Sequence, residues 1–135
     1  MTRLLRSETI PLRTESDLLQ VRRLVREGAT ELGFGILDLT KILTAASELG
    51  RNTLIHGGGG TMLLEIVAEN ELRGLRLTFE DQGPGIADIE RAMTSGFTTK
   101  RGLGLGLGGS KRLVDQFEIA SRVDEGTRIT VTRWK

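Results

Sequence analysis

A chain of 135 residues is long enough for one domain that buries about two-thirds of its unfolded surface, and it contains no cysteine and a single histidine. These counts exclude a disulfide framework, a thiolate zinc site and a histidine-built metal centre, so any metal would be held by oxygen or amide ligands. With 19 basic against 18 acidic side chains the net charge is +1, which gives no bulk attraction to nucleic acid or to an anionic membrane.

No apolar run approaches the roughly 20 residues of a membrane helix, and the first seven residues lack the apolar core of a signal peptide, so a cytoplasmic protein is expected. Residues 8–13 predict a short first strand, with Pro11 confining it to an edge or a strand end because proline donates no ladder hydrogen bond. Thr14 predicts a helix N-cap, with Glu15 and Asp17 in the favourable first turn. The apolar positions Leu18, Val21, Val25, Ala29 and Leu32 follow at helical spacing, and Gly33 and Gly35 end the run. Arg22, Arg23 and Arg26 lie off that stripe, as a solvated face or a partner-binding surface.

Asp38 is expected to cap a second helix running to about Ile55, with Leu39, Ile42, Ala46 and Leu49 facing the core. Glu48 and Asn52 fall on a different face, one turn apart. Taken alone that pair is ordinary surface decoration. The glycines at 57–60 predict a tight reversal into a strand over 62–68, a hairpin loop over 71–74 and a second strand over 75–80. Apolar residues alternate in the second strand as a half-buried antiparallel strand requires. Residues 88–93 predict a short helix and 95–101 a polar loop. A helix over 110–117 and a closing hairpin, 118–123 and 128–134 around a tight turn at 124–126, complete the pattern. It describes one domain spanning 1–135, an α+β two-layer sandwich with helices over one face of a mixed, mostly antiparallel sheet.

The glycine run at 102–109 is the most unusual stretch. The chain has 18 glycines, where average usage of about 7% would give roughly 9 or 10. Glycine at nearly every second position lets backbone N–H groups approach a ligand, and a helix N-terminus after it would add dipole and free N–H groups for an anion. By itself the run is also compatible with a linker. The intervening Leu103, Leu105 and Leu107 favour a segment that folds down on something. Gly104-x-Gly106-x-x-Gly109 matches GxGxxG, but no buried strand precedes it, so the dinucleotide-fold context is missing. A Walker A loop needs Gly-Lys-Ser/Thr; here the order is Gly109-Ser110-Lys111.

Three elements remain in order: Glu48-x-x-x-Asn52 on a helix, Asp81-x-Gly83-x-Gly85 at a strand end, and Gly102-x-Gly104-x-Gly106 before another helix. Together they resemble the ATP site of the GHKL, or Bergerat-fold, ATPases and kinases. The resemblance implies that Asn52 holds Mg²⁺ bridging the phosphates of ATP and that Asp81 accepts a hydrogen bond from the adenine amino group. Gly83 and Gly85 would let the base approach the backbone, Gly102, Gly104 and Gly106 would form a lid, and Thr127 would lie near the adenine. These roles agree with elementary chemistry: a carboxylate accepts from NH₂, and magnesium prefers oxygen ligands and keeps waters. Glu48 would lie near the γ-phosphate as general base. Lys100, Arg101 and Lys111 flank the lid, either stabilising phosphate charge or serving as exposed solubilising residues. His56 lines the site or is simply structural.

Residues 48–52, 80–86, 102–107 and 111–113, with the ending from Gly126 to Lys135, are similar to the RsbT-type switch kinases of bacterial stress signalling. That implies a serine/threonine kinase which phosphorylates STAS-domain proteins and then activates a PP2C-type phosphatase. The sister group of anti-sigma factors shares the site, phosphorylates STAS antagonists and also sequesters a sigma factor. One departure is Gly108-Gly109, where switch kinases often have a proline, which implies a more flexible lid.

Overall fold

A computed structural model describes residues 2–86, 93 and 106–135. Its strands are β1 (Thr2–Leu12), β2 (Gly60–Glu69), β3 (Leu72–Asp81), β4 (Gln116–Arg122) and β5 (Gly126–Trp134). Its helices are α1 (Glu15–Leu32), α2 (Ile36–Ile55) and a short α3 (Gly106–Lys111). The strands form one sheet in the order β1-β2-β3-β5-β4, with every neighbouring pair antiparallel. β1 is an edge, which is where Pro11 can be tolerated. The result is the expected α+β sandwich, and among the described residues no parallel pair is present.

The core lies between the helices and one sheet face. Met62, Leu64 and Ile66 of β2, Leu75, Leu77 and Phe79 of β3 and Ile129 and Val131 of β5 alternate toward it. Leu18, Val21, Val25 and Ala29 of α1 meet them, as do Ile42, Ala46 and Leu49 of α2. Two periods, about 3.6 in the helices and 2 in the strands, therefore converge on one apolar layer. α1 starts as its sequence requires: Thr14 accepts from the Asp17 N–H while Asp17 accepts from the Thr14 N–H, a reciprocal cap. It ends at Gly33, whose φ of 82° suits glycine. No helix among the described residues is long and apolar enough to cross a membrane.

Several boundaries differ from the sequence expectation, each for a tertiary reason. β1 begins at Thr2 rather than near residue 8, because backbone pairing with β2 continues past an irregularity between Leu4 and Arg6. The β2–β3 reversal is at Asn70-Glu71, with Asn70 at φ 59°, so residues 72–74 belong to the ladder. Gly74 is tolerated there because the neighbouring Trp134 ring covers it; a Cβ would lie 2.6 Å from Trp134 Cε3. The helix after the glycine run is placed at Gly106–Lys111, not at 110–117, and β4 already begins at Gln116. Pairing of Phe117 with Val131 and Ile119 with Ile129 puts those side chains against the core, and this overrides the helical reading.

Asp38 does not cap α2. The cap position is Gly35, in extended conformation, and Asp38 sits in the first turn. Its carboxylate instead takes a hydrogen bond and ion pair from Arg133 of β5, whose other guanidinium nitrogen donates to the Leu113 carbonyl at 3.0 Å. This partner holds the Asp38 carboxyl below its ordinary range. A depressed folded-state pKa contributes stability that is present above about pH 4 and lost as pH falls through the lowered value. We expect urea midpoints of the wild type to fall more steeply below about pH 4 than those of Asp38→Asn. Parallel curves would show that the pair contributes nothing to the acid limb.

Candidate functional site

Asp81 ends β3 and points toward the helix layer, 9% exposed, opposite Thr127 on β5 and Gly60 on β2. A carboxylate this enclosed needs hydrogen-bond donors, and Oδ1 accepts the Gly83 N–H at 2.9 Å. It also needs space. A Cβ on Gly57 would fall on the Asp81 carboxyl group, and one on Gly126 would overlap the Asp81 carbonyl oxygen. A Cβ on Gly83 would come within 2.7 Å of the Gly57 backbone. Glycine therefore lets the end of α2, the end of β3 and the start of β5 meet around one acid.

The loop after Asp81 is tied to the β4–β5 hairpin. Gly85 has φ 76°, and a Cβ there would overlap the Arg122 carbonyl oxygen, so both its conformation and its surroundings demand glycine. The Asp124 N–H donates to the Pro84 carbonyl at 2.7 Å, and the Ile86 N–H donates to Ser121 Oγ at 2.8 Å. Ser121 Oγ also lies 3.0 Å from the Gly126 carbonyl oxygen and 2.8 Å from Thr127 Oγ1. A cavity of about 440 Å³ opens at this end of the sheet, and its lining includes Glu80, Asp81, Ser121, Gly126, Thr127 and Arg128.

Glu48 and Asn52 lie one turn apart on α2, both half-buried, away from its Ile42, Ala46 and Leu49 stripe. Asn52 stands close to the Asp81 end of the sheet, because its carbonyl accepts the N–H groups of both His56 and Gly57, and Gly57 abuts Asp81. Glu48 accepts from Arg51 at 3.3 Å, an i,i+3 ion pair. The His56 side chain is exposed at the end of α2. Gly106 opens α3 with φ 71°, and its carbonyl accepts the buried Ser110 hydroxyl at 3.1 Å. Gly108 and Gly109 are inside that helix, packed toward α2, and not part of a loop. Lys100, Arg101, Gly102 and Gly104 lie outside the described residues, as do the short helix expected at 88–93, except Met93, and the loop at 95–101. Lys111 is exposed at the end of α3.

The donor set fits the groups the resemblance implies. Asp81 offers a carboxylate acceptor of the kind that an amino-bearing base would need. Asn52 and Glu48 offer hard oxygen donors. Among the described residues no cluster of three or more His, Asp or Glu could hold a metal, so an ion at Asn52 would complete its shell with phosphate oxygens and water.

The chain belongs to the family of histidine kinase-, DNA gyrase B- and HSP90-like ATPases, whose model matches residues 37–135. Within it, the chain is 46% identical over 125 residues to the serine/threonine-protein kinase RsbT of Bacillus subtilis, covering 93% of this chain and 94% of that one. It is 34% identical over 104 residues to the anti-sigma F factor of a Geobacillus strain, covering 72% and 70%. The fold is shared with the RsbU and RsbW domains of a Mycobacterium tuberculosis protein, at TM-score 0.65 and 21% identity, covering 97% of this chain and 33% of that one. It is also shared with a chain of the SiaB–SiaC complex of Pseudomonas aeruginosa, at TM-score 0.56 and 12% identity, covering 98% and 91%.

Three contributors were not singled out from sequence. Gly57 reads there as part of a turn, Ser121 as an ordinary strand residue, and Arg51 as a spacer between Glu48 and Asn52. Only Arg51 carries a usable signal, its i,i+3 spacing from Glu48. The Gly57 contact yields a direct test. Gly57→Ala should destabilise the protein by about 1–3 kcal/mol in urea unfolding, since the new methyl must displace the Asp81 carboxylate. A change under about 0.5 kcal/mol would mean that the clamp yields freely.

Proposed function

We propose that this chain is a single-domain, Mg²⁺- and ATP-dependent protein serine/threonine kinase that works as a partner switch in the cytoplasm. The observation that carries this reading is its 46% identity, nearly end to end, to a serine/threonine-protein kinase. The residue roles we propose follow the motifs of the sequence. Asp81 accepts from the adenine amino group, Gly83 and Gly85 admit the base to the backbone, and Thr127, paired with Asp81 across β3 and β5, lies near the same base. Asn52 provides the protein ligand to magnesium, which when bound neutralises phosphate charge. Lys100, Gly102, Gly104 and Gly106 belong to the segment that covers the phosphates.

Phosphoryl transfer asks mainly for positioning and charge stabilisation. Glu48 takes the proton of the substrate hydroxyl as its oxygen bonds to the γ-phosphorus, and the bond from that phosphorus to the β–γ bridging oxygen breaks to release ADP. Helix α2 fixes Glu48 and Asn52 one turn apart, so the base and the metal ligand keep their spacing throughout.

The substrates we propose are STAS-domain proteins, with a PP2C-type phosphatase as the partner activated afterwards. A second reading, an anti-sigma factor that sequesters a sigma factor and phosphorylates its STAS antagonist, is supported by the 34% identity to an anti-sigma F factor. Labelled ATP with candidate STAS proteins tests the activity, and co-purification of a phosphatase or of a sigma factor separates the two readings.

Two variants test the roles. Glu48→Ala should keep ATP affinity near wild type while phosphorylation of a STAS protein falls by about 10²–10⁴; undiminished transfer would remove Glu48 as the base. Asp81→Asn should weaken ATP binding in calorimetry by about tenfold or more, because an ionised acceptor is lost. Unchanged affinity would contradict the adenine contact.

A further inference from the structure

We infer that Ser121 is a positioning residue that sets base selectivity, by holding the Thr127 hydroxyl as a hydrogen-bond acceptor toward the nucleotide. The inference rests on the proposed adenine-facing roles of Asp81 and Thr127. It begins from proton counting. A serine hydroxyl has one proton and two lone pairs, and Ser121 Oγ has three partners: the Ile86 N–H at 2.8 Å, the Gly126 carbonyl oxygen at 3.0 Å and Thr127 Oγ1 at 2.8 Å.

Two of these partners have no choice of role. A backbone N–H can only donate and a carbonyl oxygen can only accept, so the Ser121 proton goes to Gly126 and one lone pair to Ile86. A single lone pair remains for Thr127, and Thr127 must be the donor across that contact. The opposite assignment would give the Ser121 proton to Thr127 and leave two oxygens facing each other at 3.0 Å without a proton between them. In a half-buried pocket that arrangement costs the hydrogen bond and adds repulsion.

With its only proton committed to Ser121, Thr127 presents lone pairs to the site. Asp81, its cross-strand neighbour, presents a carboxylate. Two acceptors on one edge match a base with an amino group at position 6 and oppose a base with an oxo group there, as in hypoxanthine or guanine. Asp81 alone disfavours the oxo group. Ser121 prevents Thr127 from turning its hydroxyl round to rescue such a base. Because the same serine also anchors the Ile86 N–H, the loop carrying Gly83 and Gly85 is held in register with Thr127.

The test is calorimetric binding of ATP and of ITP to the full chain with magnesium present. We expect the wild type to prefer ATP, and Ser121→Ala to narrow the ATP/ITP affinity ratio by about three- to tenfold. Ser121→Thr, which keeps the hydroxyl, should retain the wild-type ratio. On a Thr127→Val background, Ser121→Ala should no longer change the ratio, because no hydroxyl remains to reorient. A Ser121→Ala variant that binds both nucleotides more weakly at an unchanged ratio would reduce Ser121 to structural support and overturn the inference, even with the adenine site intact. A wild type without preference, or a ratio untouched by Asp81→Asn, would instead overturn the adenine-site reading and the Ser121 role with it.

Discussion

The site depends on the enclosure of one carboxylate. Asp81 occupies a place where Gly57, Gly83 and Gly126 must all lack side chains, since a Cβ at any of them would strike Asp81 or the backbone packed around it. Burying an ionised group without donors is costly, and the Gly83 N–H supplies one at 2.9 Å. The glycines here do more than loosen the chain. They let three backbone segments come close enough to enclose the acid.

That enclosure organises the surrounding elements. The chain must leave α2, reverse through Gly57–Gly60 and enter β2 beside β3, so the end of the helix carrying Glu48 and Asn52 is brought against Asp81 by covalent connection as well as by packing. On the other side, the β4–β5 hairpin reaches back to the loop after Asp81 through Asp124 to Pro84 and Ser121 to Ile86. The groups proposed to face adenine thus come from two neighbouring strands, β3 and β5, and those proposed to face the phosphates come from one helix. Strand pairing fixes the first set, and helical spacing fixes the second.

Much of this was legible in the sequence because it follows from local periodicity. The α1 stripe from Leu18 to Ala29, the Thr14 cap, the Ile42, Ala46 and Leu49 face and the β3 alternation all reflect rules that operate within a few residues. Asp81, Gly83 and Gly85 were legible as a motif. Ser121, Gly57 and the Asp38–Arg133 pair were not, since each acquires its partner from a distant part of the chain; Asp38 and Arg133 are 95 residues apart. The helix expected over 110–117 failed for the same reason. Leu113, Val114 and Phe117 repeat at helical spacing, and only pairing with β5 makes Phe117 the start of the alternation that continues through Ile119. Glycine-rich stretches are hardest, because the feature that matters is a close approach by a neighbour that sequence does not reveal.

The two anchors of α2 explain why its polar face can be a dependable place for chemistry. Near its start, Asp38 is bound to Arg133 at the C-terminal end of β5. Just past its end, Gly57 is pressed against Asp81 at the C-terminal end of β3. Because β3 and β5 are antiparallel, these are opposite ends of the sheet. A helix of 20 residues is about 30 Å long, and strands of nine or ten residues reach about the same length, so α2 spans the layer from one end to the other. Glu48 and Asn52 lie between the anchors, on a helix that can neither slide along the sheet nor rotate without breaking the apolar contacts of Ile42, Ala46 and Leu49. Their distance from Asp81 is therefore a property of the core. A site that relies on positioning more than on unusual reactivity needs its polar groups mounted in this way.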